Sequence, residues 1–134
     1  AFGQHSGVID LNKDRYELPR FPINEKYGEI KRFKEVISYL PLQYKIIKPE
    51  NKFMNEGENP PKMTIEFFKD QKNLENINCF SNEGSKWRKT KIVLIDNILN
   101  INFSEKFIER RGRINCSLKD ENGWRFSGFQ FVQN

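Results

Sequence analysis

From Leu42 onward the chain is broken into short apolar-rich runs, and this segmentation constrains the fold more than any other feature. Seven runs have strand character: 42–48, 62–68, 74–81, 87–95, 98–104, 113–118 and 124–132. Polar breaks bearing Gly, Pro, Asn or Asp separate most of them, at 55–61, 69–73, 82–85 and 119–123, while Asp96-Asn97 is placed for a tight hairpin. Short strands at this spacing, without helices between them, bury their apolar sides by stacking one sheet on another. The expected fold is mainly β: an antiparallel β-sandwich of about seven strands, immunoglobulin-like or jelly-roll-like.

Two-residue alternation gives each run an inner face. Leu42, Tyr44 and Ile46 share one side, as do Met63, Ile65 and Phe67, and Ile114, Cys116 and Leu118, with largely polar partners between them. Cys79 also stands two residues after an isoleucine, so both cysteines are expected to point into the core. Two inward cysteines on different strands allow either a disulfide, contributing on the order of 3–4 kcal/mol in an oxidising compartment, or two buried thiols. The first outcome implies the periplasm or cell envelope and the second the cytoplasm.

The N-terminal part reads differently. Residues 1–23 are punctuated by Gly and Pro, and the two prolines in Leu18-Pro-Arg-Phe-Pro22 suit neither a helix interior nor a central strand, so this stretch is an extended connector. Asn24 is placed to cap a helix whose apolar residues Ile30, Phe33, Val36, Ile37 and Leu40 recur at three- and four-residue steps until Pro41 stops it. That stripe should lie on something apolar. The division is therefore 1–23 as a tail or linker and 24–134 as a helix plus β-sandwich.

At 134 residues the chain has room for a single core. Its longest apolar stretches are far too short to span a bilayer, so no transmembrane segment is expected. A net charge of +5 favours anionic partners, yet the basic residues are interspersed with acidic ones, and their densest cluster is Arg110, Arg111 and Arg113. Without a zinc-finger, helix-turn-helix or ribonucleoprotein motif, nucleic acid is not an expected partner. His5 is the only histidine, which rules out a His-pair metal site, and two core-facing thiols complete no zinc ligand set. Neither a Ser-His-Asp order nor a phosphate-cradling Gly-rich loop is present, so no metal or other cofactor is expected in this chain and catalysis by the chain alone is not. The carboxylate pairs Asp10 with Asp14 and Asp120 with Glu121 fall in loops among lysines and read as solvated.

Aromatic residues are more suggestive. Trp87, Trp124, Phe126, Phe129 and Phe131 lie on two runs, where they serve either as core or as rings that stack on sugar faces; the phenylalanines favour core, and the tryptophans, each beside a polar turn, fit either role. Arg113, Asn115 and Ser117 alternate outward, as a solvated sheet face or as a stripe that bonds hydroxyls or a carboxylate. Trp87, Trp124, Arg113 and Asn115 are thus the candidate carbohydrate-binding residues.

Two stretches carry a family resemblance. Ala1-Phe-Gly-Gln-His-Ser-Gly-Val-Ile9 followed by Leu18-Pro-Arg-Phe-Pro-Ile23 resembles the closing segment of the catalytic domain in bacterial polysaccharide deacetylases of carbohydrate esterase family four. Leu74-Glu-Asn-Ile-Asn-Cys-Phe80, Gly112-Arg-Ile-Asn-Cys-Ser117 and the aromatic run 124–132 resemble a C-terminal extension carried by some of these enzymes. The resemblance implies the end of a metal-dependent N-deacetylase barrel followed by an accessory module, with the Asp-His-His metal triad lying outside this sequence. It also implies that His5, in the intact enzyme, protonates the leaving amine, although Gly-Gln-His-Ser-Gly departs from the family's Leu-x-His pattern. The expected partners are then a polysaccharide or oligosaccharide and the preceding deacetylase domain. The expected function is a non-catalytic, carbohydrate-binding accessory module; alternatives are an interaction domain that packs on the barrel without sugar affinity, and a stand-alone enzyme using His5.

Overall fold

The computed structural model describes residues 1–26, 28–83 and 86–134. One helix, α1 (Ile30–Ser38), precedes ten strands: β1 (Leu40–Pro41), β2 (Tyr44–Lys48), β3 (Phe53–Met54), β4 (Lys62–Phe67), β5 (Asn78–Glu83), β6 (Lys86–Lys89), β7 (Lys91–Ile95), β8 (Ile98–Asn102), β9 (Arg111–Asp120) and β10 (Gly123–Gln133). The fold is mainly β, with two sheets packed on each other. The larger has the order β1-β10-β9-β5-β6, with β3 also on β10, and the smaller has the order β2-β4-β8-β7.

The core follows the alternation. Met63, Ile65 and Phe67 from β4 and Leu99 and Ile101 from β8 meet Cys79 from β5, Ile114, Cys116 and Leu118 from β9 and Phe131 from β10, all of them buried. Phe103, Phe107, Phe129 and Phe131 add a run of edge-to-face and tilted ring contacts at one end, with centroids 5.0–5.5 Å apart. Gly112 permits this packing, because a Cβ there would stand 2.2 Å from the Phe107 ring.

Ten strands form where seven runs are expected, for two reasons. The run 87–95 changes sheets at Thr90: its N–H and its hydroxyl both donate to the Cys79 carbonyl, at 2.9 and 3.0 Å, and this buried corner sends β6 to one sheet and β7 to the other. In addition, β1 and β3, only two residues each, pair with β10 in parallel, so the larger sheet is mixed rather than purely antiparallel. No alternation announces pieces so short. Of the turn expected at 82–85, Gly84 and Ser85 lie outside the described residues, as does Tyr27 within the expected helical stretch.

The helix is shorter than its pattern, and its stripe is not covered. Glu29, not Asn24, occupies the N-cap, and the chain is already extended at Tyr39, before Pro41. Ile30, Phe33 and Ile37 stay exposed at 74%, 46% and 65%, and α1 buries no residue.

Residues 1–20 double back as a strap over β10. The Gly3 N–H donates to the Leu18 carbonyl, the Leu18 N–H to the Ala1 carbonyl and the Arg20 N–H to the His5 carbonyl. The strap lies so close to the sheet at Gly128 that a Cβ there would stand 1.9 Å from the Ser6 carbonyl oxygen. Thus the stretch 1–23 is tied to the sandwich by specific contacts.

A buried carboxylate closes one end of the sandwich. Glu83 is fully buried; its Oε1 accepts from the Ser81 hydroxyl at 2.6 Å and its Oε2 from the Glu105 N–H at 2.5 Å, so its burial is compensated by two charge-assisted bonds. Truncation as Glu83→Ala leaves both donors unpaired and should cost about 2–4 kcal/mol in urea unfolding; a loss under about 0.5 kcal/mol would show that this carboxylate does not anchor the 104–106 turn.

Candidate functional site

Register decides which side chains share the outer face of the larger sheet. Directly opposed residues on neighbouring strands point the same way. Trp87 opposes Asn82, and Arg113 opposes Gln130, with Asn82 and Arg113 lining one groove, so Trp87, Asn82, Arg113 and Gln130 make a row across β6, β5, β9 and β10. The next row is Lys89, Phe80, Asn115 and Gly128, and the one after it runs Asn78, Ser117 and Phe126.

Part of this face is closed. Over β10, Ser6 crosses Gly128, and Phe21 and Tyr39 pack on Phe126 with centroids 5.1 and 5.6 Å away. Over β9, β5 and β6 it stays open: Phe80 is 43% exposed and Trp87 47%. The Arg113 guanidinium lies 5.8 Å from the centroid of the Trp87 ring, a cation–π contact that orients both groups. The structure therefore brings Trp87, Arg113 and Asn115 together on one surface of aromatic rings, amides and a guanidinium. Trp124 shares the face but stands opposite Lys119, six residues along β9 from Arg113 and on the order of 20 Å away by strand rise. It lines a small separate hollow with Tyr39, Ser117, Arg125 and Phe126.

Sequence reasoning passed over Phe80 and Asn82, although the signal was present: an inward Cys79 sends Asn78, Phe80 and Asn82 outward. Cys79 and Cys116 face each other in register and are joined by a disulfide, 37 residues apart in sequence, on the core side of the same strands. Asp120 is held by the turn it belongs to: it accepts from the Arg125 guanidinium, the main cause of a pKa below the usual carboxylate value, and from the Asn122 N–H, which acts the same way. Glu121 is exposed beside it and paired with Lys72, and Asp10 and Asp14 accept backbone N–H groups within their own turns. Among the described residues no group of three or more His, Cys, Asp and Glu side chains is arranged to hold a metal ion, and no helix is long and apolar enough to cross a membrane.

His5 sits in the strap, at the stretch of β10 between its pairings with β1 and β3. A cleft of about 520 Å³ opens there among His5, Lys13, Glu17, Tyr44, Lys52 and Gln130. Glu17 ties strap to sandwich: the Lys52 ammonium donates to one carboxylate oxygen and the Gln130 amide to the other. No local pattern links Glu17 to Gln130, so this cleft was invisible in the sequence. Tyr44 hydrogen-bonds Ser127 at 3.1 Å, and burial raises its pKa. His5 Nδ1 is buried and has no hydrogen-bond partner among the described residues. Burial lowers the His5 pKa below its ordinary value, and the charges of Lys13 and Lys52 act the same way.

The chain matches no known family model, and no curated protein or solved structure is similar to it.

His5 generates a pH prediction. The folded state holds it neutral to a lower pH than the unfolded state does, so the unfolded chain binds the extra proton first as pH falls through about 6.5. Stability should be full above that value, decline below it, and level off once the folded-state pKa is passed. Thermal unfolding of His5→Gln should show a flatter dependence between about pH 7.5 and 5 than the parent chain; identical slopes would mean that His5 is not held neutral by the strap.

Proposed function

We propose that the chain is the C-terminal part of a polysaccharide deacetylase and that its sandwich is a non-catalytic module that holds the polysaccharide on the open outer face of the six-stranded sheet. The observation that carries this reading is the contiguous set Trp87, Asn82, Arg113, Phe80 and Asn115, exposed or half-buried on one sheet surface. Rings offer an apolar platform to the C–H faces of a sugar, while amides and a guanidinium offer donors and acceptors to its hydroxyls. Trp124, farther along the same face, supplies a second stacking point for a longer chain. The disulfide fits an oxidising compartment, the periplasm or cell envelope. Membership in carbohydrate esterase family four rests on the two stretches of sequence resemblance, and the deacetylation itself belongs to the preceding domain.

One observation favours a second reading, an interaction domain that packs on the deacetylase barrel. The α1 stripe of Ile30, Phe33 and Ile37 is exposed, as is Phe2 at 64%. Apolar surface of this kind suits a protein neighbour. The two readings use different surfaces, and the second requires no sugar affinity.

Titration with chitotetraose, followed by NMR of the backbone amides, separates them. Sugar binding should move the resonances of β5, β6 and β9 around Trp87 and Arg113 at millimolar ligand, and Trp87→Ala should weaken binding roughly tenfold, the loss expected for one stacked ring. Unaltered spectra at millimolar sugar would leave the interaction domain as the reading.

A further inference from the structure

We infer that the glycan held on this face is anionic, with a carboxylate-bearing sugar unit seated in the arginine groove beside Trp87; the inference rests on the carbohydrate-binding reading of that face and specifies its substrate class. A groove of about 500 Å³ lies at the end of the open surface, lined by Gln4, Asn82, Glu109, Arg110, Arg111 and Arg113. It holds three guanidinium groups against one carboxylate. Among the described residues none of the three arginines has a carboxylate within ion-pair distance, whereas Arg88 and Arg125 are each paired. The groove therefore carries positive charge that the protein itself does not neutralise.

Arg113 joins the groove to the sugar platform, because the guanidinium that lines it also lies over the Trp87 ring. Among the described residues the Arg113 guanidinium has no carboxylate partner, which leaves its N–H donors available in the fork geometry that a carboxylate accepts with two parallel bonds. Asn82 opposes Trp87 in register and Gln4 reaches in from the strap, so amide groups flank the charged centre where hydroxyls of the same sugar would lie. A neutral glycan would use the ring and the amides and leave Arg110 and Arg111 idle. A uronate uses all of them.

The test compares chitotetraose with tetragalacturonate, a neutral and an acidic tetramer, by NMR titration of the full chain at low and moderate salt, with the double variant Arg110→Gln, Arg111→Gln alongside. Both substituted side chains are exposed, and circular dichroism checks that the fold is kept. The inference expects tetragalacturonate to bind at least tenfold more tightly than chitotetraose at low salt, the preference to shrink as salt rises, and the double variant to lose it while still binding chitotetraose. Equal affinity for the two tetramers overturns the inference and leaves the sugar-binding face standing. Binding of neither overturns both. An acidic preference that survives in the double variant overturns the assignment to this groove, and equally tight binding of a short single-stranded DNA overturns the assignment to glycan.

Discussion

β9 pairs with β10 along ten residues and with β5 through its middle, and each of its side chains is committed to one of two environments by that double pairing. Ile114, Cys116 and Leu118 go to the core, and Arg113, Asn115 and Ser117 go to the outer surface. A slip of one residue on either side would bury an arginine and expose the disulfide, so the register is enforced by the hydrophobic face and by the Cys79–Cys116 crosslink together. The core and the proposed binding surface are two faces of one constraint. The same strands that close the interior fix the spacing of the groups outside it.

The second determinant is where the strap lies. Crossing at Gly128, and followed directly by Phe21 packed on Phe126, it covers the β10 side of the outer face and leaves β9, β5 and β6 bare. Its own attachment is polar, through Glu17 to Lys52 and Gln130, with the imidazole of His5 lining the same cleft. Phe80, Trp87 and the guanidinium of Arg113, which has no carboxylate partner among the described residues, stand on the uncovered side. That asymmetry distinguishes a surface available to a ligand from one already used by the chain itself.

Much of the architecture was legible because it depends on local alternation. The inner faces of β4 and β9 could be read directly, and the inward turn of both cysteines followed from the isoleucine two residues before each. The parts that were not legible depend on distant neighbours. Thr90 turns a single apolar run into strands of two sheets by bonding the Cys79 carbonyl, β1 and β3 exist only because β10 offers them an edge, and Glu17 meets Gln130 from the far end of the chain. The helix shows the opposite failure. Its periodicity is sound, but a three- and four-residue repeat says only that an apolar stripe exists, not that this chain contains its partner. Among the candidate ligand contacts, the Arg113–Trp87 pair joins strands that are not even adjacent in the sheet, and no spacing in the sequence encodes that meeting.

The bare part of the six-stranded sheet is the surface proposed to hold a glycan. A crystal structure of the chain grown with a bound oligosaccharide tests it most directly. The account predicts sugar rings lying on Trp87, with hydrogen bonds to Asn82, Arg113 or Asn115; a sugar seated in the cleft at His5 with the outer face empty would contradict it.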